Sequence, residues 1–505
     1  MPAVSADLDD DTPGRPARRT LLPAPVRRVR LPGWTYRVVW LWPALVTLAI
    51  TTTQLSRAPL WRDELATWTA ASRPVGDLFR LTGNVDAVSG PYYLLMHVWI
   101  AVAGDSTVAL RLPSALAMAG AAALTTLLGA RLFGPFAGLV AGLLFAVLPS
   151  TSRYGQEARS YALVTLLAML AGLLLLRALD RPSWPRWAGY AAAVVGAGLA
   201  HLVALLLVTG HALAVLACRR PGILWRWAVA IGAAGLVLAP LAALGRGQQG
   251  RQLGWVEQPD FTTLIGMPGA LTQASAVGGL LLGLAAVAVA NRGRPGVLLG
   301  LAVVLPVLLL FAAGQVTDLF VPRYLLFVVP LAAVLAAATL STLRPAAVLA
   351  IVVVVGLLGV PVQREFRRTH EWPRSAPLDF PAAAAIIAER QRPGDGIVYA
   401  PRTGTGRLDL ATAYYLPGDP PRDVLLAEDP VSRADLSATE CDRPAECLAS
   451  ARVDRIWLLA LGEQRDPLAR MPADRADPLR AGFLVERQWT VPGLTVALLV
   501  RRPAT

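Results

Sequence analysis

The feature that most constrains this chain is the length of its apolar runs. From about Trp34 to Val362 they recur with only short arginine-bearing loops between them. Stretches such as 296–313 and 345–362 reach about 18 residues, enough for a helix to cross most of a hydrocarbon core roughly 30 Å thick. Lipid leaves a spanning backbone only two solutions, the helix and the closed barrel, and continuous apolar runs of this length select the helix. Hydrophobic residues make up 55% and charged residues 16%, against roughly 25% charged in a typical soluble domain. Mean hydropathy is +0.51. Intrinsic disorder and a wholly soluble enzyme are both excluded.

Eleven transmembrane helices are expected, near 34–54, 108–128, 135–150, 161–178, 187–200, 202–217, 225–244, 276–290, 296–313, 324–341 and 345–362. The block Tyr92–Ala103 is too short to join them, since a span needs roughly 20 residues. It reads as an interfacial helix, with His97 and Trp99 suited to the headgroup level. That choice fixes the parity of every later loop. Arg131, Arg177, Arg181, Arg186, Arg219, Arg220, Arg226, Arg292, Arg294 and Arg344 then share one side, which the positive-inside bias makes cytoplasmic. The C-terminus falls outside.

The chain has 47 basic and 34 acidic residues, a net charge of +13, and every basic residue is arginine. Arginine without lysine points to a GC-rich coding genome, and the location expected is a bacterial plasma membrane. Nucleic acid is discounted as a partner, because the arginines sit in short clusters between apolar blocks, where they orient spans and meet lipid headgroups.

Three regions follow from the composition. Residues 1–34, with Asp9, Asp10 and Asp11 ahead of six arginines, read as a disordered cytoplasmic tail; 35–362 form the membrane module; 363–505 turn charged and Pro-rich. Short β-type runs at Ile397–Ala400, Arg455–Leu461 and Leu494–Arg501 alternate there with helix-like stretches at Pro381–Arg390 and Leu408–Tyr415. The expected fold is thus a mainly α membrane protein of about eleven spans plus an interfacial helix, with a small extracytoplasmic α/β domain at its C-terminus. Three cysteines exclude a disulfide scaffold and a cysteine-based zinc site. Cys441 and Cys447 could close a small loop in an oxidising compartment or stay free; Cys218 is expected to be inert.

Charged groups at the edge of hydrocarbon cost a few kcal/mol each and need a reason. Under the parity above, the outer face collects Asp63 and Glu64 after the first span, Asp86 ahead of Tyr92 and Tyr93, the string Tyr154-Gly155-Gln156-Glu157-Ala158-Arg159, His201 at a tight turn, and Arg323-Tyr324. Acids and arginines on one face suit a site that binds a phosphate through arginine and activates a hydroxyl through a carboxylate. Each also has a plainer reading: helix N-terminal acids for Asp63 and Glu64, an interfacial ion pair for Glu157 and Arg159, a helix-end anchor for Arg323, a satisfied polar side chain for His201. The four histidines show no metal-ligand spacing, and no P-loop, GxGxxG or GxSxG motif occurs. A lipid or solute transporter would instead carry ionisable residues in mid-span.

Taken in order, Asp63-Glu64, Asp86 before Tyr92-Tyr93, Arg111-Leu112-Pro113-Ser114, Tyr154 to Leu163 and Pro322-Arg323-Tyr324 resemble the GT-C glycosyltransferases, above all the family 39 group of protein mannosyltransferase-like and aminoarabinose transferase-like membrane enzymes. The resemblance covers roughly residues 35–345. It implies a polyprenyl-phosphate sugar as donor, transfer on the outer face of the plasma membrane, and an acceptor hydroxyl on a protein, glycan or lipid. Asp63 then resembles the general base and Glu64 accompanies it. Asp86, Gln156, Glu157 and Arg159 border the donor, with Tyr92, Tyr93, Tyr154, His201 and Tyr324, and Arg323 holds the phosphate. Mannose stands first as the sugar, with arabinofuranose or another pentose as runner-up, and an inverting single displacement is expected. Members often carry histidine where this chain has Ser89. Some relatives use a divalent metal and others do not, so no metal ligand is assigned.

Overall fold

A computed structural model describes residues 38–370, 377–402, 406–416 and 418–503. The expected N-terminal tail, 1–34, lies outside them. Each expected span falls on helix, and the differences lie where the backbone breaks. Leu41–Thr52 opens the bundle. Thr107–Phe133 follows, then Pro135–Val147 joined to Pro149–Gly155 across a 64° bend, Tyr161–Asp180 and Trp184–Ala200. A 3-10 turn, Leu202–Leu206, leads into Leu207–Ala217, and Pro221–Leu253 is the longest helix. Phe261–Thr272 and Ser275–Asn291 meet at 97°; Gly293–Gly314, Pro322–Leu340 and Pro345–Phe366 complete the bundle. Among the described residues, six helices are individually long and apolar enough to cross a membrane, or eight if each bent pair is one span. The bends have local causes. Pro149 forces extended backbone on Leu148 (ψ 138°), and Gln273 sits in the left-handed region at φ 66°.

Small residues let the helices approach closely. A Cβ on Gly138 would come 2.4 Å from the Thr126 carbonyl oxygen, so Thr107–Phe133 and Pro135–Val147 pack backbone to backbone. The two ends of the bundle hold different charged groups. At one end Arg131 pairs with Asp180, Arg292 donates to the Ala338 carbonyl and Arg294 to that of Ala217. These belong to the loops that the arginine bias assigned to one side. The start of Thr107–Phe133, roughly 40 Å away at 1.5 Å per residue, meets Arg159 through Ser114, whose hydroxyl donates to the Arg159 carbonyl at 3.3 Å.

The short block expected at the interface is helix Gly90–Ala103. Its exposed side is apolar, with Leu95, Val98 and Val102. His97 and Trp99 do not serve as outward anchors: His97 Nδ1 bonds the Ala71 carbonyl at 2.8 Å, and the Trp99 indole N–H donates to that of Ala109 at 2.8 Å. Ala71 closes its helix, and Pro113 has no N–H to give the Ala109 carbonyl, so both oxygens lack an intrahelical partner.

Beyond Phe366 come seven strands among the described residues: β1 (Gly396–Ala400), β2 (Arg422–Asp423), β3 (Leu426–Glu428), β4 (Thr439–Glu440), β5 (Arg455–Leu461), β6 (Phe483–Val491) and β7 (Leu494–Arg501). β3 and β4 pair with each other, and the rest form one sheet in the order β2-β1-β5-β7-β6, with β1 parallel to β2 and β5, and β7 antiparallel to β5 and β6. β5, β7 and helix Leu408–Tyr415 match the expected boundaries. β6 was not expected; it is an edge strand whose Glu486, Arg487 and Gln488 interrupt any apolar run. Cys441 and Cys447 form a disulfide, and Cys218 is half-buried with its thiol on the Ala214 carbonyl. The sheet region docks onto the loop after the first helix. There Trp68 meets Tyr414 edge-on at 5.0 Å, in one apolar cluster that joins Leu65 and Tyr93 to Trp457 and Val496.

Candidate active site

The loop after the first apolar helix folds into helix Arg62–Ala71, with Asp63 and Glu64 in its first turn, where the helix dipole favours acids. Successive helical residues point roughly 100° apart, so the two neighbours face different surroundings. Glu64 turns inward and is fully buried. Arg111 Nε and Nη2 donate to its two oxygens at 2.8 and 2.6 Å, and the Ala158 N–H adds a third bond at 2.8 Å. The other N–H groups of Arg111 reach the carbonyls of Leu55, Ala58 and Pro59, so all five guanidinium donors are used.

The Tyr154–Arg159 segment is stitched into the same joint. Arg153 Nε bonds Glu157 at 2.9 Å and its guanidinium lies against the rings of Trp61, Tyr154 and Phe366. The Gln156 amide donates to the carbonyls of Thr51 and Thr53 at 2.9 and 2.8 Å. This corrects part of the expected site. Glu64, Tyr154, Gln156 and Glu157 do not line the cavity above them; they fasten the two loops that build its wall. Tyr92 and Tyr93 are buried as well, and the Tyr93 hydroxyl donates to Asp86.

Above the joint opens a cavity of about 1010 Å³. Of the expected residues, Asp63, Asp86, Arg159, His201, Arg323 and Tyr324 line it. Asp63 is partly exposed and loosely paired: Arg323 Nη2 is 3.7 Å from one oxygen and Arg62 Nε 4.0 Å from the other. Arg159 Nη1 braces the helix from below through the Asp63 carbonyl and the Thr67 hydroxyl, both at 3.4 Å. Arg323 opens the 3-10 turn Pro322–Val328 and donates from Nε to the Tyr161 hydroxyl at 3.0 Å. Around it, Tyr324 lies 4.3 Å from His201 and 6.2 Å from Tyr161, centroid to centroid.

His201 ends helix Trp184–Ala200, and its Nδ1 accepts the Val203 N–H at 3.3 Å. Burial, with Arg159 and Arg323 close by, pushes its pKa down to about 3. The ring is therefore neutral, with its proton on Nε2. Asp86 holds a left-handed backbone, φ 58°. Its carboxylate accepts from Ser89 at 2.9 Å, from Tyr93, and from the Gln252 amide at 3.3 Å. Burial raises its pKa, against the opposing pull of Arg159 and of the Tyr93 and Ser89 hydrogen bonds. Three hydrogen bonds tie the Asp86 carboxyl into the cavity floor, whereas Asp63 is held only by the long contacts to Arg323 and Arg62.

Sequence reasoning left out part of the lining. Arg62 and Tyr161 stood beside residues already singled out. Arg246, Gln252 and Trp255 come from the end of the long helix Pro221–Leu253 and the turn after it, and Arg407, Asp435 and Ser437 from the C-terminal region. No local motif marks either group. Among the described residues no three His, Cys, Asp or Glu side chains come together as a metal-binding set.

Residues 91–243 match the family model described as dolichyl-phosphate-mannose-protein mannosyltransferase. No curated protein matches the sequence. Among solved structures, ArnT from Cupriavidus metallidurans in the apo state is similar over 92% of this chain and 98% of its own, with a TM-score of 0.59 and 14% identity. ArnT bound to undecaprenyl phosphate gives a TM-score of 0.56 and 15% identity over the same shares. The Archaeoglobus fulgidus oligosaccharyltransferase in complex with zinc and sulfate gives 0.50 and 11%, covering 83% of this chain and 67% of its own. The chain has the GT-C fold.

Proposed function

We propose that this chain is an integral-membrane glycosyltransferase that moves a sugar from a polyprenyl-phosphate donor to an acceptor hydroxyl. The observation that carries this reading is the opening of Asp63, Arg159 and Arg323 on one cavity at one end of an apolar helix bundle. Support comes from the undecaprenyl phosphate bound to a protein of the same fold and from the mannosyltransferase family match. Mannose is the sugar we assign first, on that match; a pentosyl donor is the runner-up. The positive-inside bias assigns the cavity and the C-terminal region to the outer face of the membrane.

The chemistry follows from the side chains. As the acceptor oxygen bonds the anomeric carbon, Asp63 accepts its proton, and the bond from that carbon to the phosphate oxygen breaks with its electron pair leaving on polyprenyl phosphate. Arg323 meets that developing charge. Its 3.7 Å separation from Asp63 is longer than a direct hydrogen bond, so the guanidinium can turn to a phosphate without breaking a tight pair. Arg159 fixes the helix that carries the base. A single displacement of this kind inverts the anomeric centre.

The test is turnover in nanodiscs with a panel of polyprenyl-phosphate sugars, following release of free polyprenyl phosphate by wild type and Asp63→Asn. Release with one sugar, lost in the variant, establishes the class and names the donor. No release with any donor, while lipid or solute still crosses the bilayer, overturns the reading in favour of transport.

A further inference from the structure

One wall of the cavity does not come from the membrane helices. Arg407, Asp435, Leu436 and Ser437 of the C-terminal region line it, and they are held there. Helix Leu408–Tyr415 is pinned at its far end: the Tyr415 hydroxyl accepts the Leu60 N–H at 2.7 Å and the Tyr414 hydroxyl donates to the Asp105 carbonyl at 2.9 Å. Arg407 caps its near end with a left-handed backbone, φ 41°, and its Nη1 donates to the Leu436 carbonyl at 3.0 Å and the Ser437 hydroxyl at 3.3 Å. The facing segment is tied down in turn by Arg73 on the Asp435 carbonyl, 2.6 Å, and Asn84 on that of Ala434, 3.0 Å. Ala434 too is left-handed, at φ 50°. Non-glycine residues in that region persist where the surroundings over-determine them, and such positions gather at ligand sites.

The wall offers a mixture of groups. Arg407 makes no ion pair among the described residues and has N–H groups besides Nη1 to offer, Asp435 adds a carboxylate, Ser437 a hydroxyl and Leu436 an aliphatic face. The Asp435 carboxylate, which takes the Ser437 N–H at 3.0 Å and lies 3.9 Å from Arg433, gives this wall an acceptor beside the Arg407 donors. A polyol, whose hydroxyls both donate and accept, finds partners for both roles. We propose that Arg407, Asp435 and Ser437 form the acceptor subsite, and that the acceptor they take is a saccharide. The proposal rests on the glycosyltransferase reading and divides the labour: the bundle handles the lipid-linked donor, and the C-terminal region selects the acceptor.

The test uses the full chain in nanodiscs with a panel of methyl di- and trisaccharides, titrated by tryptophan fluorescence, and polyprenyl phosphate titrated separately. Wild type is expected to bind at least one saccharide, and Arg407→Ala and Asp435→Asn to weaken it about tenfold or more, the worth of one charge-assisted hydrogen bond. Polyprenyl phosphate affinity should stay within about twofold. Asp435→Asn keeps an acceptor for the Ser437 N–H, so it reports on recognition if Arg407→Ala loosens the wall. No saccharide bound by wild type, equal affinity in both variants, or parallel loss of saccharide and polyprenyl phosphate each overturns the proposal. Failure of the donor-release assay would sink the glycosyltransferase reading by itself, because saccharide binding is read without turnover.

Discussion

Two arginine–carboxylate assemblies lie within one helical turn of each other and are built on opposite terms. Beneath the cavity, Glu64 and Arg111 are wholly buried, every donor of the guanidinium is used, and the pair joins the loop after the first helix to the Ala158 backbone. At the cavity wall, Asp63 and Arg323 are each about a quarter exposed and 3.7 Å apart. A buried pair is strongly missed when one partner goes, because the other is left charged and dry. A partly exposed, loose pair contributes little to stability, and its members remain available to a substrate. Adjacent acids can therefore divide into one that holds the site together and one that works in it.

The most drastic way to break this contrast is Glu64→Ala or Arg111→Ala. Either should cost roughly 3–5 kcal/mol, enough to unfold a marginal membrane domain, and thermal melting in nanodiscs checks it. Asp63→Asn should leave the melting point nearly unchanged while turnover falls by about 10²–10⁴-fold, the range for a lost general base. A large drop in melting point for Asp63→Asn would erase the distinction between the two assemblies. Next comes Arg323→Ala, with a loss of about 10²–10³-fold in kcat. Arg323→Lys should recover part of it, since the ammonium keeps the charge but not the fork.

The contrast also shows what was legible beforehand. Strands β5 and β7 were readable to the residue because each is a nearly continuous apolar run buried on both faces, and helix Leu408–Tyr415 because its apolar residues Leu408, Ala411 and Tyr415 recur at helical spacing. Loop parity brought Asp63, Arg159, His201 and Arg323 to one face before any contact was known. What the sequence could not reveal was direction. Asp63 and Glu64 look alike in the string, and only the turn of the helix, with Arg111 waiting inside, separates them. Arg111 was visible as a charge early in an apolar helix, yet its partner lay 47 residues away. The Arg407–Ser437 wall is harder still, because its position follows from Tyr414 and Tyr415 docking on two loops, each more than 300 residues earlier.

The smallest expected effect sharpens the comparison with a third acid, Asp86, which lines the cavity but is tied like a structural group. Burial, more than any neighbour, raises its pKa, while Arg159 and the hydrogen bonds from Tyr93 and Ser89 pull the other way. An acid whose folded pKa lies above its unfolded one binds more protons when folded, so its contribution to stability falls as pH rises from the ordinary carboxyl value through the raised folded value. Asp86→Asn removes that titration and keeps an oxygen for the Ser89 hydroxyl. The melting point of the variant minus that of wild type, measured between about pH 4 and pH 8, should therefore grow with pH and then level off, with all other titrations cancelling in the difference. A difference that shrinks with rising pH would mean that Arg159 and the hydrogen bonds outweigh burial. Asp86 would then be a carboxylate that its neighbours hold in the charged form, not a buried acid that folding protonates.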